Sequence, residues 1–202
     1  MKGRVMKNKI IGWFSIGSTY TYLTALRLQN LMATRGFEME IKPISIRHIM
    51  KSMNNIPFPP EKKEKVNYMW RDIERRAVTY GLPRPNVPAP YPLKNFDNAN
   101  LVGVVLNDMD LYLNYFNLTY RYWFIDGMES GSEENIRKCL SDMTLDYNQI
   151  IELANSPEVT KKYEKNTFEA LERGVFGAPS FSVGKELFWG DDRLEDAILF
   201  SS

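Results

Sequence analysis

The spacing of apolar residues changes several times along the chain, and each change marks an element. Residues 9–14, KIIGWF, are a short continuous apolar run, which reads as a buried strand. From 19 to 34 the period lengthens. Leu23, Leu26, Leu31 and Met32 supply helical apolar faces, Ser18 stands where an N-cap belongs, and Gly36 follows the end. Residues 37–43 alternate Phe37, Met39 and Ile41 against charges, the pattern of a strand with one wet face. Strand, helix, strand predicts two parallel strands with the helix packed on the sheet.

A helical period resumes after the proline-rich IPFPP. Over 61–80 it puts Val66, Met69, Trp70, Ile73, Ala77 and Tyr80 on one stripe, and Gly81-Leu82-Pro83 ends it. A proline-rich loop runs to about residue 92. One long apolar and aromatic helix is predicted over 98–122. Shorter helices follow over 132–141, capped by Ser132 with two glutamates behind it, and over 146–154, capped by Asp146. Ser156-Pro157-Glu158 combines cap, first-turn proline and first-turn acid, and opens a helix running to about 173.

The stretch GVFGAPSFSVGKELFWGDDRL, residues 174–194, closes the chain. It holds a strand (Phe181, Val183), a two-residue Gly184-Lys185 hairpin turn, a second strand (Leu187, Trp189), and Gly-Asp-Asp before a final helix. The order is β-α-β, then several helices, then α-β-β-α. That order predicts an α/β thioredoxin-like fold with a large all-helical insertion. The discontinuous α/β domain takes residues 1–45 and 157–202, and the insertion takes 46–156.

Composition narrows the function. With 202 residues, 44% of them hydrophobic, the chain can build one real core. Its 26 basic and 25 acidic residues leave a net charge of +1, which gives no argument for nucleic acid or a membrane surface as partner. Cys139 is the only cysteine, so no internal disulfide forms and a reducing, cytoplasmic compartment is expected. The basic start MKGRVMKNKI leads into an apolar run broken by Gly12 and Ser15, unlike a signal peptide. His48 is the only histidine, which argues against a metal site or mechanism needing two imidazoles; no metal is expected.

In the thioredoxin arrangement a proline heads the third strand, usually in the cis form, and faces the N-terminus of the first helix. Pro179 holds that place, so the backbone of Ala178 is expected to pair with a bound peptide as an added strand does. Opposite lies GSTYTYL. A redox thioredoxin carries Cys-x-x-Cys there; this chain carries Ser18-Thr19-Tyr20-Thr21 and has no thiol to exchange. A hydroxyl beside a helix N-terminus can instead hold another molecule's thiolate, below the ~8.5 of a free cysteine.

The segments FSIGSTYTYL, IKPISIRHIMKSMNN, YMWRDIERRAVTYGLP and GVFGAPSFSVGKELFWGDDRL, in this order, resemble the family of 2-hydroxychromene-2-carboxylate isomerases and kappa-class glutathione transferases. The resemblance implies a DsbA-like thioredoxin domain, glutathione as cofactor, an aromatic-derived small-molecule substrate and a homodimer. Ser18 matches the family's catalytic serine, which hydrogen-bonds the glutathione sulfur, and Tyr20 and Pro179 are expected with it among the cofactor-binding residues. Asn55 matches a pocket asparagine. Ala178, before Pro179, matches the residue that pairs with glutathione's cysteinyl backbone. Asp191 and Asp192 match the turn that holds the γ-glutamyl end. The family usually reads Ser-Pro-Tyr where this chain reads Ser18-Thr19-Tyr20, and Gly-Asn where it reads Asn54-Asn55.

Plainer readings stand beside these. Ser18 and the two aspartates are good helix caps, Asn55 is a good turn residue, and Tyr20, Tyr22, Trp123 and Trp189 serve a core as readily as a pocket. The lysines at 62, 63 and 65 can meet a carboxylate or simply face water, and Cys139 reads as packing. Three functions remain open: a glutathione-dependent isomerase, a kappa-like transferase or peroxidase, and a non-catalytic thioredoxin-fold binding protein.

Overall fold

The computed structural model describes residues 9–55, 58, 59 and 61–202. The predicted start MKGRVMKN lies outside them. β1 (Ile10–Phe14) pairs in parallel with β2 (Met39–Pro43), as the β-α-β opening predicts. β1 also pairs antiparallel with β3 (Ser180–Val183), which turns at Gly184-Lys185 into antiparallel β4 (Glu186–Trp189). The sheet order is β2-β1-β3-β4. Alternation sorts the side chains: Ile10, Phe14, Phe181 and Val183 join one core, and Trp13 and Ala178 join another.

The predicted helix over 19–34 is two helices, α1 (Thr21–Ala25) and α2 (Leu28–Arg35). At the break Arg27 turns inward, meeting the Asp191 carbonyl and Glu195 and lying 4.1 Å over the Tyr80 ring. A buried guanidinium needs such partners, and the helix breaks where they are reached. Ser18 is not its N-cap; Tyr20 holds that position with no side-chain cap bond.

The insertion follows β2. Its first helix, α3 (Ile46–Ser52), was not expected; Ser45 caps it by accepting the His48 N–H at 3.3 Å. α4 (Lys63–Thr79) buries Met69, Trp70, Ile73 and Ala77, as the stripe predicted. The predicted helix over 98–122 is α5 (Phe96–Asp108) and α6 (Tyr112–Phe124). Between them Asp110 takes a φ of 59°, a left-handed turn that aspartate tolerates better than most residues. α7 (Glu133–Asp142), α8 (Tyr147–Ala154) and α9 (Pro157–Glu172) start at the predicted caps Ser132, Asp146 and Ser156, each accepting a backbone N–H.

The chain ends with a 3-10 turn, Asp191–Arg193, and α10 (Leu194–Phe200). Neither aspartate makes a side-chain cap bond, against expectation. The main core joins sheet and insertion through aromatic rings: Phe14 lies 4.9 Å from Phe116, and Tyr22 stacks on Phe124 at 4.4 Å. Full burial of each such ring contributes roughly 1.5–3 kcal/mol. Among the described residues no helix is long and apolar enough to cross a membrane.

Candidate functional site

The site lies where the turn after β1 meets the loop before β3. The turn leaves β1 through Ser15, Ile16 and Gly17. Gly17 has a φ of 127°, and a Cβ there would enter the Phe96 ring, so only glycine fits. Ser18 follows, half-buried. Opposite, α9 stops two residues before Gly174, whose φ is 76°. Gly174 N–H reaches Leu171 O at 3.0 Å and Val175 N–H reaches Ala170 O at 2.9 Å, a hydrogen-bonded stop that fixes the exit of the chain. Gly177 lets the backbone pass beneath Trp189, and the Ala178–Pro179 bond is cis, as expected.

These two segments meet in one short contact. Ser18 Oγ donates to the Ala178 carbonyl at 2.6 Å, linking residues 160 positions apart. The hydroxyl and the carbonyl that the sequence singled out separately therefore satisfy each other.

The remaining predicted residues sort differently. Thr19 is buried, its hydroxyl on the Met69 sulfur at 3.0 Å. Tyr20 gives its hydroxyl to Asp72 at 3.1 Å, and its ring lies 6.3 Å from Phe58. Burial first, then the Asp72 charge, pushes the Tyr20 pKa up, so it stays a neutral donor. Asn55 lies exposed just beyond α3. Asn54 takes a φ of 53°, the Asn54 N–H bonds Lys51 O at 3.1 Å and the Asn55 N–H bonds Met50 O at 2.9 Å. That left-handed stop suits asparagine, the side-chain-bearing residue that best tolerates the conformation.

The two aspartates part ways. Asp191 is 1% exposed. Its Oδ2 lies 2.7 Å from an Arg76 nitrogen, a charge contact at an angle too poor for a hydrogen bond. Burial pushes the Asp191 carboxyl up to about 7, against the pull of Arg76 and Arg27. Asp192 keeps a side chain 45% exposed, 3.0 Å from Arg193. Burial is the largest single influence and raises its carboxyl, but the Arg193 hydrogen bond and the Arg76 and Arg193 charges together prevail and hold it below the usual value. Asp192 is thus the ionised carboxylate open to a ligand, and Asp191 braces its turn against α4.

Three side chains that the sequence reading passed over belong to this region. Arg76 meets Asp191, Asn100 bonds the backbone of Ile16, and the Tyr120 hydroxyl bonds that of Ser18. Asn100 alone left a trace, a polar residue inside an apolar helical run. Two surface grooves, about 490 and 840 Å³ in volume, lie elsewhere; neither is lined by Ser18, Ala178 or Asp192.

The profile of the DSBA-like thioredoxin domain matches residues 9–197, nearly the whole chain. The chain belongs to this family. Within it, a 2-hydroxychromene-2-carboxylate isomerase of Sphingobium xenophagum is 30% identical over 193 residues, covering 94% of this chain and 96% of that one. Glutathione S-transferase kappa 2 of Caenorhabditis elegans is 23% identical over 195 residues, covering 90% and 86%. A solved structure of 2-hydroxychromene-2-carboxylate isomerase superposes with a TM-score of 0.82 at 25% identity, covering 95% of each chain. The resemblance read from the sequence is therefore the relationship found, and the fold is the DsbA-like thioredoxin fold.

Proposed function

We propose that this protein is a glutathione-dependent isomerase acting on an aromatic-derived electrophile of the 2-hydroxychromene-2-carboxylate type. The observation that carries the reading is the 2.6 Å bond from Ser18 Oγ to Ala178 O. A peptide-like ligand that lays an N–H on the Ala178 carbonyl takes that acceptor over. The Ser18 proton is then released towards whatever lies beside it.

The residues fit glutathione. Ala178 offers the carbonyl for a cysteinyl N–H, Ser18 the proton for the adjacent sulfur, and Asp192 an ionised, half-exposed carboxylate for the ammonium group. When bound, glutathione supplies a thiolate that adds reversibly to an electrophilic carbon and is returned unchanged. Ser18 contributes a hydrogen bond to a charged acceptor, worth about 1.5–3 kcal/mol, or one to two pKa units on the sulfur. That brings a thiol near 8.5 to roughly neutral pH. Asn55 is exposed and is assigned to the ligand pocket by the family resemblance alone, and Tyr20 contributes its ring, its hydroxyl being held by Asp72. The kappa-class relative supports a second reading, a transferase that consumes glutathione.

The test is calorimetric titration of glutathione into the protein and into Ser18→Ala, with thiolate ultraviolet absorbance followed against pH. Binding to both, with thiolate forming at higher pH in the variant, is expected. Equal thiolate absorbance in both removes Ser18 from the mechanism, and no heat with either leaves a binding protein of another kind. With 2-hydroxychromene-2-carboxylate as substrate, unchanged glutathione marks the isomerase and a stable thioether marks the transferase.

A further inference from the structure

The turn that carries Ser18 belongs to the sheet half of the molecule, yet its polar groups are satisfied from the insertion. Asn100, fully buried on α5, accepts the Ile16 N–H at 2.8 Å. Its amide nitrogen donates to the Ile16 carbonyl at 2.9 Å and to Phe96 O at 3.1 Å. Tyr120, fully buried on α6, donates to the Ser18 carbonyl at 2.8 Å, with Ser15 O a second acceptor at 3.3 Å. The Tyr120 hydroxyl oxygen also accepts the Gly17 N–H at 3.4 Å. Phe96 packs where a Gly17 side chain would stand, and Met69 of α4 takes the Thr19 hydroxyl.

We infer that Tyr120 and Asn100 are positioning residues that fix the Ser18 turn, so that the serine hydroxyl reaches the ligand sulfur. The inference rests on the role of Ser18 proposed above. A fixed proline ring after the serine restrains such a turn locally. Thr19 brings no ring, and bonds from three helices do that work here. Burial pushes the Tyr120 pKa far up, so its hydroxyl stays a donor at every working pH. A 2.8 Å bond at the Ser18 carbonyl oxygen restrains that peptide plane, and with it the direction in which the Ser18 Cα–Cβ bond leaves the backbone.

Tyr120→Phe is the cleanest probe, because the ring packing is kept and only the hydroxyl goes. Hydrogen exchange reads the turn without any ligand: the Gly17 and Ser18 amides are expected to lose protection in the variant. Glutathione binding by calorimetry is expected to stay within a few-fold of the parent. The bound thiol should titrate at higher pH, and kcat/KM with 2-hydroxychromene-2-carboxylate should fall about tenfold to a hundredfold. A merely structural role would lower the melting temperature and leave the thiolate titration in place. Unchanged exchange at residues 17 and 18 overturns the clamp, and unchanged thiolate titration overturns its link to Ser18. A parent that binds no glutathione, yet shows the exchange change, keeps the clamp and removes the proposed function instead. Asn100→Asp, which keeps the acceptor and loses the donor, should loosen exchange at the same turn.

Discussion

A buried carboxylate with a raised pKa makes the protein's stability depend on pH in a definite direction. Asp191 titrates near 3.8 in an unfolded chain and at about 7 in the folded one, with burial as the cause. The folded state therefore holds this proton more tightly. The contribution of Asp191 to stability is fully present below about pH 4 and is lost as pH rises through about 7. The gap is about three units, at 1.36 kcal/mol each, so the total is at most about 4 kcal/mol. Between about pH 5 and 7 the slope approaches its limit for one proton, about 1.4 kcal/mol per pH unit. Glu40, Glu74, Asp142 and Asp192 are shifted the other way and withdraw their stability only at more acid pH. The charges acting on Asp191 are Arg76 of α4, Arg27 between α1 and α2, and its neighbour Asp192; Tyr80, just past the end of α4, meets both arginines, and Glu195 of α10 pairs with Arg27. The assay is urea unfolding at a series of pH values for the parent and for Asp191→Asn. Relative to the variant, the parent should lose about 1 kcal/mol per unit from pH 5 to 7. Taking the difference in slopes removes whatever constant amount the substitution itself costs. Parallel curves would mean that the carboxyl titrates normally, and would refute the account of Asp191 as a desolvated charge.

Two more predictions follow from the same geometry. Asp192→Asn removes the ionised, open carboxylate, so glutathione affinity should fall about tenfold to a hundredfold by calorimetry, as for one charge-assisted bond; a glutathione analogue lacking the ammonium should bind parent and variant alike. Cys139 is fully buried and its thiol is pushed up to about 12, chiefly by desolvation, so the folded protein should not react with a thiol-specific reagent until denaturant is added.

What the sequence made legible was mostly local. Ser132, Asp146 and Ser156 each cap the residue three positions on, so a short window contains the whole cause. The Gly184-Lys185 hairpin is of the same kind. The breaks at Arg27 and Asp110 were hidden, because apolar spacing continues through both. Arg27 leaves the helical path for partners more than 160 positions away. The site shows the same division. Ser18 and Ala178 were both readable, because the β-α-β and β-β-α halves already imply that they face each other. Asp191 and Asp192 look alike in Gly-Asp-Asp. Only the 3-10 turn decides that one points to Arg76 and the other to water.

Asn100 and Tyr120 explain why the insertion is not an appendage. A turn holding a glycine at a φ of 127° and a serine with no helix to cap has little local reason to keep one shape. Each ordered residue costs about 1–2 kcal/mol of backbone entropy, and the turn alone offers few bonds to offset it. Hydrogen bonds from α5 and α6 and packing from Phe96 supply them, and those helices are themselves fixed by the aromatic core beneath the sheet. The residue after the serine is thereby freed from having to be proline. A threonine whose hydroxyl finds the Met69 sulfur stands there, and the turn is held from the helices packed around it.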